Sequence, residues 1–125
     1  MRVLFLDDYS ERYERMVQVC PDAVHAKTVA ETIALLRTLT WDVVCLDHDL
    51  GGEMFADPSR PDCGMAVVRW MVENRPAVGR VIVHSANFES APIMRDTLAA
   101  AGYAVEWIPF GSEEIAAALG RCSDP

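Results

Sequence analysis

Three groups of polar side chains stand out because each directly follows a short apolar run. Asp7-Asp8 follows VLFL, Asp47-His48-Asp49 follows VVCL, and His84-Ser85-Ala86-Asn87 begins directly after VIV. Grouped carboxylates are hard oxygen ligands that suit Mg²⁺, and imidazoles exchange protons near neutral pH. Together these residue types indicate metal-assisted phosphate chemistry, provided that the fold brings the three groups to one place.

Each group also has a simpler explanation when it is considered alone. Asp7-Asp8 suits the acidic N-terminus of a helix, and Asp47-His48-Asp49 suits an Asx turn. A single histidine such as His84 at a strand end is often only structural. Carboxylates that meet without a cation would repel and raise at least one pKa. The joint occurrence of the three groups at neighbouring strand ends therefore favours a site.

The elements that must position these groups are short β-rich runs separated by amphipathic segments. The predicted strands are Arg2–Leu6, Ala23–Ala26, Asp42–Leu46, Arg80–Val83 and Ala104–Trp107. Runs that are apolar throughout, such as VVCL, suit strands that are covered on both faces of a parallel sheet. Helix boundaries are indicated by a capping box at Thr28–Glu31, by Ser112 before a last helix, and by Gly102 and Gly120 at helix ends. The pattern predicts five strand-helix units.

Five such units in 125 residues predict an α/β fold with an open, doubly wound, five-stranded parallel sheet. The expected strand order is 2-1-3-4-5, in a flavodoxin-like three-layer sandwich formed by a single domain over residues 1–125. In such sheets ligands bind beyond the carboxyl ends of the strands, where the strand order reverses. The polar groups after the first, third and fourth strands should therefore converge.

Composition limits the function classes. The chain is 51% hydrophobic with a formal net charge of −8, and such an acidic surface argues against binding along a nucleic-acid backbone. No stretch approaches the roughly 20 apolar residues of a membrane span. Four cysteines show neither zinc nor redox spacing. We expect a cytoplasmic protein with no membrane partner.

The segments MRVLFLDD, VVCLD, VIVHSA and IPF resemble the receiver domain of two-component signalling along nearly the whole chain. The resemblance implies metal binding by Asp7 and Asp8, a phosphoacceptor at Asp47, and a phosphate-contacting hydroxyl at Ser85. Two positions depart from the receiver pattern. Ile108 stands before Pro109 where a receiver has lysine, and Val105 stands where a receiver has its switch aromatic.

LDHDLGG and His84-Ser85-Ala86-Asn87 resemble a smaller group, the cyclic-phosphate processing receiver domains. That resemblance implies enzymatic action on cyclic phosphates or related nucleotide phosphoesters. The working hypothesis is accordingly a phosphoesterase that uses Mg²⁺ or Mn²⁺, with a small molecule or a nucleic-acid end as the phosphate substrate.

In this hypothesis Asp7, Asp8 and Asp47 hold the ion, and His48 and His84 divide the general base and general acid roles. Ser85 and Asn87 donate hydrogen bonds to the phosphate. Asp49 either orients His48 or completes the metal shell. A variant makes Asp47 a nucleophile that forms an acyl phosphate. The segment 50–63 is longer than a usual connection, and it is interpreted as a lid that carries Arg60 as a phosphate ligand.

Two other functions stay open. In one, the chain is a phosphoaccepting signalling module that uses Asp47 without turnover. In the other, it is a degenerate receiver that only binds proteins. The sequence does not select an oligomeric state.

Overall fold

The computed structural model describes residues 2–50, 56–111 and 117–118. Strands and helices alternate along these residues, as the sequence predicts. In chain order they are β1 Val3–Leu6, α1 Ser10–Val19, β2 Val24–Ala26, α2 Val29–Thr38, β3 Trp41–Leu46, α3 Gly64–Asn74, β4 Val78–Val83, α4 Ala91–Ala100 and β5 Val105–Trp107.

Local chemistry explains two of the helix boundaries. The Thr28 hydroxyl accepts a hydrogen bond from the backbone N–H of Glu31 at 3.1 Å, so the predicted capping box starts α2. After the end of α4, Gly102 adopts a φ of +98°. This left-handed conformation favours glycine and ends the helix. The predicted cap Ser112 and the predicted stop Gly120 lie outside the described residues.

All five strands form one parallel sheet in the order β2-β1-β3-β4-β5, which confirms the predicted topology. All five strands end where predicted and four begin within one residue of the predicted start, whereas β4 begins two residues earlier, at Val78 and not at Arg80. Gly79, an apparent strand breaker, belongs to the strand. A Cβ there would lie 2.9 Å from the Asp42 carbonyl oxygen, so this close backbone approach requires glycine.

Alternate residues of the central strands face two separate cores. Leu4, Leu6, Val44 and Leu46 pack on the side that is covered by α2, α3 and α4. The opposite side holds Val3, Phe5, Val43, Cys45 and Ile82, against Met16 of α1. The sheet is therefore the middle layer of a three-layer sandwich, as predicted. No helix in the described ranges has the length and apolar character needed to cross a membrane.

Candidate metal and phosphate site

Asp7, Asp47 and His84 meet because they continue the same face of three neighbouring strands. Phe5 pairs with Cys45, and Cys45 pairs with Ile82. The three polar residues lie two positions further along, and side chains two apart in a strand point to the same face. Backbone bonds from Asp47 N to Leu6 O and from His84 N to Leu46 O extend the strand pairing to these positions. One ligand atom from each of the three residues lies within 4.8 Å of the others.

Asp7 is fully buried, and its carboxylate is surrounded by hydrogen-bond donors. Oδ2 accepts from Arg12 Nε at 2.6 Å and lies 3.0 Å from His84 Nε2. Oδ1 accepts from Arg12 Nη2 and from the Tyr9 backbone N–H, both at 2.8 Å. Burial alone would raise the pKa of Asp7, but the bonds from His84 and Arg12 outweigh it and lower the pKa to about 2. Asp7 is therefore a carboxylate at neutral pH.

The negative charge of the Asp47 carboxylate is offset by fewer hydrogen bonds than that of Asp7. Its Oδ1 accepts from the His48 backbone N–H at 2.8 Å, while its Oδ2 lies 3.6 Å from Arg12 Nη2, longer than a hydrogen bond. Burial raises the pKa of Asp47 to about 6, and the negative charge of Asp7 adds to the rise against the opposing charge of His84. The site thus holds one satisfied carboxylate beside one that lacks a full counter-charge.

His84 supports Asp7 from within the core. Its ring stacks on Phe5 with centroids 4.6 Å apart and meets the edge of Phe110 at 6.1 Å. Because an ionised carboxylate only accepts, Nε2 must carry the proton that is donated to Asp7. The other ring nitrogen, Nδ1, is buried with no hydrogen-bond partner within the described part of the chain.

On the opposite face of the sheet, beyond the strand ends, the His48 side chain contacts the side chain of its neighbour Asp49. His48 Nδ1 lies 2.9 Å from Asp49 Oδ1, which also accepts from Asn87 Nδ2 at 3.1 Å and from the Ala56 backbone N–H at 2.9 Å. The orientation of His48 by Asp49 for a catalytic role stays a prediction. His48 is fully buried, and its Nε2 has no partner among residues 2–50, 56–111 and 117–118.

The side chains of Ser85 and Asn87 form hydrogen bonds within the protein. The Ser85 hydroxyl accepts from the Asn87 backbone N–H at 3.0 Å. Asn87 Oδ1 accepts from the backbone N–H groups of Glu89 and Ser90 in the turn before α4. The Ser85 carbonyl accepts from Trp107 Nε1 at 2.9 Å, which ties β4 to β5. Phosphate binding by Ser85 and Asn87 stays a prediction, and in this structure they shape the turn.

Residues 51–55 of the segment between β3 and α3, among them the glycine pair 51–52, lie outside the described residues. Arg60 forms two hydrogen bonds with Asp62 of the same segment, at 2.9 and 2.7 Å. Its phosphate-binding role and the lid function stay predictions. The segment ends at Gly64, whose N–H donates to the His48 carbonyl at 2.8 Å. A Cβ on Gly64 would collide with the Asp47 carbonyl, so the site backbone and α3 require glycine there.

The donor set fits a divalent cation. Two buried carboxylates meet, and Arg12 Nη2 lies 3.6 Å from Asp47 Oδ2, beyond hydrogen-bond distance, so a hard ion would neutralise carboxylate charge that Arg12 only partly offsets. Asp8, with 23% of its side chain exposed, lies beside this pair and 4.0 Å from Arg12. Binding of the ion by Asp7, Asp8 and Asp47 stays a prediction, and His84 holds Asp7 through a hydrogen bond.

Arg12 is the site residue that the sequence reasoning missed. It lies five residues after Asp7 and four after Asp8, in the first turns of α1. The available signal was the four-residue spacing from Asp8, which precedes α1, to Arg12 within it. Ile108, at the position where receivers carry lysine, is 5% exposed and packs in the core. Arg12, not β5, therefore supplies the cation at this site.

Comparison with known proteins identifies the family of the chain. A family model described as the cyclic-phosphate processing receiver domain matches residues 2–100. The chain belongs to this family. None of the curated proteins compared with the chain matches it.

Solved receiver domains share the fold of this cyclic-phosphate processing receiver domain. The response regulator TrrA from Thermotoga maritima, solved in complex with Mg²⁺-BeF, has a TM-score of 0.67 and 16% identity, with 96% of each chain covered. A CheY-like receiver domain from Methanospirillum hungatei has a TM-score of 0.66 and 17% identity, with 96% of this chain and 94% of that one covered.

A Burkholderia pseudomallei response regulator was solved with a phosphorylated aspartic acid and a calcium ion. It has a TM-score of 0.65 and 16% identity, over 94% of this chain and 65% of that one. At these identities the likeness shows the fold, which is that of a response-regulator receiver domain.

Proposed function

We propose that the chain is a phosphoaccepting signalling module in which Asp47 takes up a phosphoryl group with the help of a divalent cation. The observation that carries the proposal is the state of Asp47. Among the described residues no donor lies within hydrogen-bond distance of its Oδ2, and 9% of its side chain is exposed, against 0% for Asp7. Asp47 is therefore the member of the buried cluster that offers both an unengaged oxygen and access from solvent.

The chemistry follows from these contacts. Deprotonated Asp47 Oδ2 attacks the phosphorus of a donor, a new O–P bond forms, and the donor's leaving group departs with its electron pair. His84 and Arg12 keep Asp7 ionised beside it. The divalent ion, when bound, would offset the carboxylate charges that otherwise repel an incoming phosphate. The solved receivers with Mg²⁺-BeF and with phosphoaspartate support this proposal by analogy of fold.

The test uses acetyl phosphate as the donor and intact-mass spectrometry as the readout. With Mg²⁺ present, the wild type should gain the mass of one phosphoryl group and lose it in alkali, as acyl phosphates do. Asp47→Asn should gain none. Asp96→Asn makes the same change on the exposed side of α4, where Asp96 pairs with Arg95, and should behave as the wild type. Phosphorylation of Asp47→Asn, or none of the wild type, would reject the proposal.

A second candidate is hydrolysis of a cyclic phosphate, the main hypothesis from the sequence. Two observations favour it beyond the family description. The buried Nε2 of His48 has no partner in the described ranges, and Asp49 holds the opposite nitrogen as it would hold a general base. A cavity of about 660 Å³ borders Asp8 and is lined mainly by apolar side chains, among them Val29, Ile33 and Leu50, with space for the organic part of a substrate.

Burial of the two histidines argues for ranking hydrolysis second. The exposed fractions of the His48 and His84 side chains are 0% and 1%, so neither ring reaches a water or leaving group in this conformation. Incubation with 2′,3′-cyclic nucleotides and Mg²⁺ or Mn²⁺ separates the candidates. Turnover that is lost in both Asp47→Asn and His84→Ala would favour the enzyme, whereas stable phosphorylation without turnover favours the signalling module.

A further inference from the structure

Arg12 lies over the site from α1 and contacts both buried carboxylates. Its Nε and Nη2 bind Asp7 at 2.6 and 2.8 Å, and Nη2 lies 3.6 Å from Asp47 Oδ2. The guanidinium carbon stands 4.8 Å from the centre of the Tyr9 ring, which supports it from one side. With 34% of its side chain exposed, the arginine lies at the border between the cluster and solvent.

The hydrogen-bonding capacity of Asp7 is fully used in this arrangement. A carboxylate offers about four acceptor positions, and Asp7 receives two bonds from Arg12, one from His84 and one from the Tyr9 backbone. A cation that binds Asp7 must displace one of these donors. His84 is held by stacking on Phe5, and the Tyr9 donor is main chain. Arg12 is the donor whose side chain can swing away into solvent.

A displaced Arg12 has a second anion within reach. A phosphoryl group on Asp47 Oδ2 would extend from the atom that Nη2 already approaches. The planar guanidinium binds two phosphate oxygens at once. Directly after β5, the apolar Ile108 supplies no cation for this task. Arg12 is therefore placed to bind a phosphoryl group on Asp47.

We propose that Arg12 changes partner during the cycle: it holds Asp7 in the resting protein, leaves when the divalent ion enters, and then binds the phosphoryl group on Asp47. This role rests on the proposed phosphoacceptor function. It makes two predictions of opposite sign for one substitution. Without Arg12 the metal should bind more tightly because a competitor is gone, and the phosphoryl group should bind more weakly because a ligand is gone.

The test measures Mg²⁺ alone, and then beryllium fluoride at saturating Mg²⁺, by isothermal titration of the full chain. For Arg12→Gln, loss of a charge-assisted contact should tighten Mg²⁺ binding about 10-fold and weaken beryllium fluoride binding about 10- to 100-fold. Arg12→Lys keeps the charge but not the two-pronged geometry, so both effects should be smaller. Arg15→Gln removes an exposed arginine from the same helix and should match the wild type. Urea unfolding of each variant checks that it is folded.

Failure of the Arg12 partner exchange can be distinguished from failure of the proposed phosphoacceptor function. A wild type that binds both probes, together with an Arg12→Gln variant whose two affinities are unchanged or both weakened, would overturn the partner exchange and leave the phosphoacceptor function standing. A wild type that binds neither probe would overturn the proposed function, and the role of Arg12 with it.

Discussion

Replacement of Asp47 by asparagine is expected to stabilise the fold at neutral pH. Burial raises the pKa of Asp47 from 3.8 to about 6, so the folded state favours the protonated carboxyl more than the unfolded state does. Stability is then fully present below pH 3.8 and falls as the pH rises through about 6. A difference of about 2 pKa units corresponds to about 3 kcal/mol. Asparagine resembles the protonated carboxyl, so the variant should escape this loss.

The assay is urea unfolding in the presence of a chelator, across the pH range from below 3.8 to well above 6. The difference in unfolding free energy between Asp47→Asn and the wild type should grow from near zero in acid to about 3 kcal/mol at neutral pH. Asp96→Asn, on the exposed side of α4, should show a difference that does not grow in this way. A variant that is no more stable than the wild type at neutral pH would refute the account of an uncompensated buried carboxylate.

Three further predictions concern the supports of the site, each measured by urea unfolding of the metal-free protein. Gly64→Ala should lower the unfolding free energy by about 3 kcal/mol, because its Cβ would collide with the Asp47 carbonyl; a loss under about 0.5 kcal/mol would contradict the close contact. Asp7→Asn should lower the unfolding free energy by about 2 kcal/mol at neutral pH. Because the pKa of Asp7 is lowered in the folded state, this difference should vanish as the pH falls from 3.8 through about 2. A difference that stays constant with pH would argue against ionised Asp7. Trp107→Phe should cost about 1 kcal/mol through the lost bond to the Ser85 carbonyl, and an unchanged stability would show that this bond contributes nothing.

The fold was predictable from sequence because its signals are local. Alternating apolar runs such as VVCL and capping residues such as Thr28 mark strands and helices without reference to distant parts of the chain. Gly79 was the exception. Its place in β4 depends on close approach to the Asp42 backbone of the neighbouring strand, which no local rule reveals.

Convergence of the carboxylates was also predictable, since parallel strands end at one edge of a sheet and side chains two apart share a face. The hydrogen-bond and ion-pair partners of each side chain were not predictable from the sequence. Arg12 reaches Asp7 and Asp47 only because α1 packs on that face of the sheet. Burial of His48 and His84 likewise depends on tertiary packing.

The most direct measurement for the central claim is the position of the phosphoryl group after treatment with acetyl phosphate and Mg²⁺. Reduction of the acyl phosphate with borohydride, followed by peptide mapping, converts the labelled aspartate into a distinct residue that mass spectrometry can locate. The account predicts the label at Asp47 and at no other carboxylate. A label at Asp7, Asp8 or Asp49, or no label together with steady turnover of a cyclic phosphate, would contradict it.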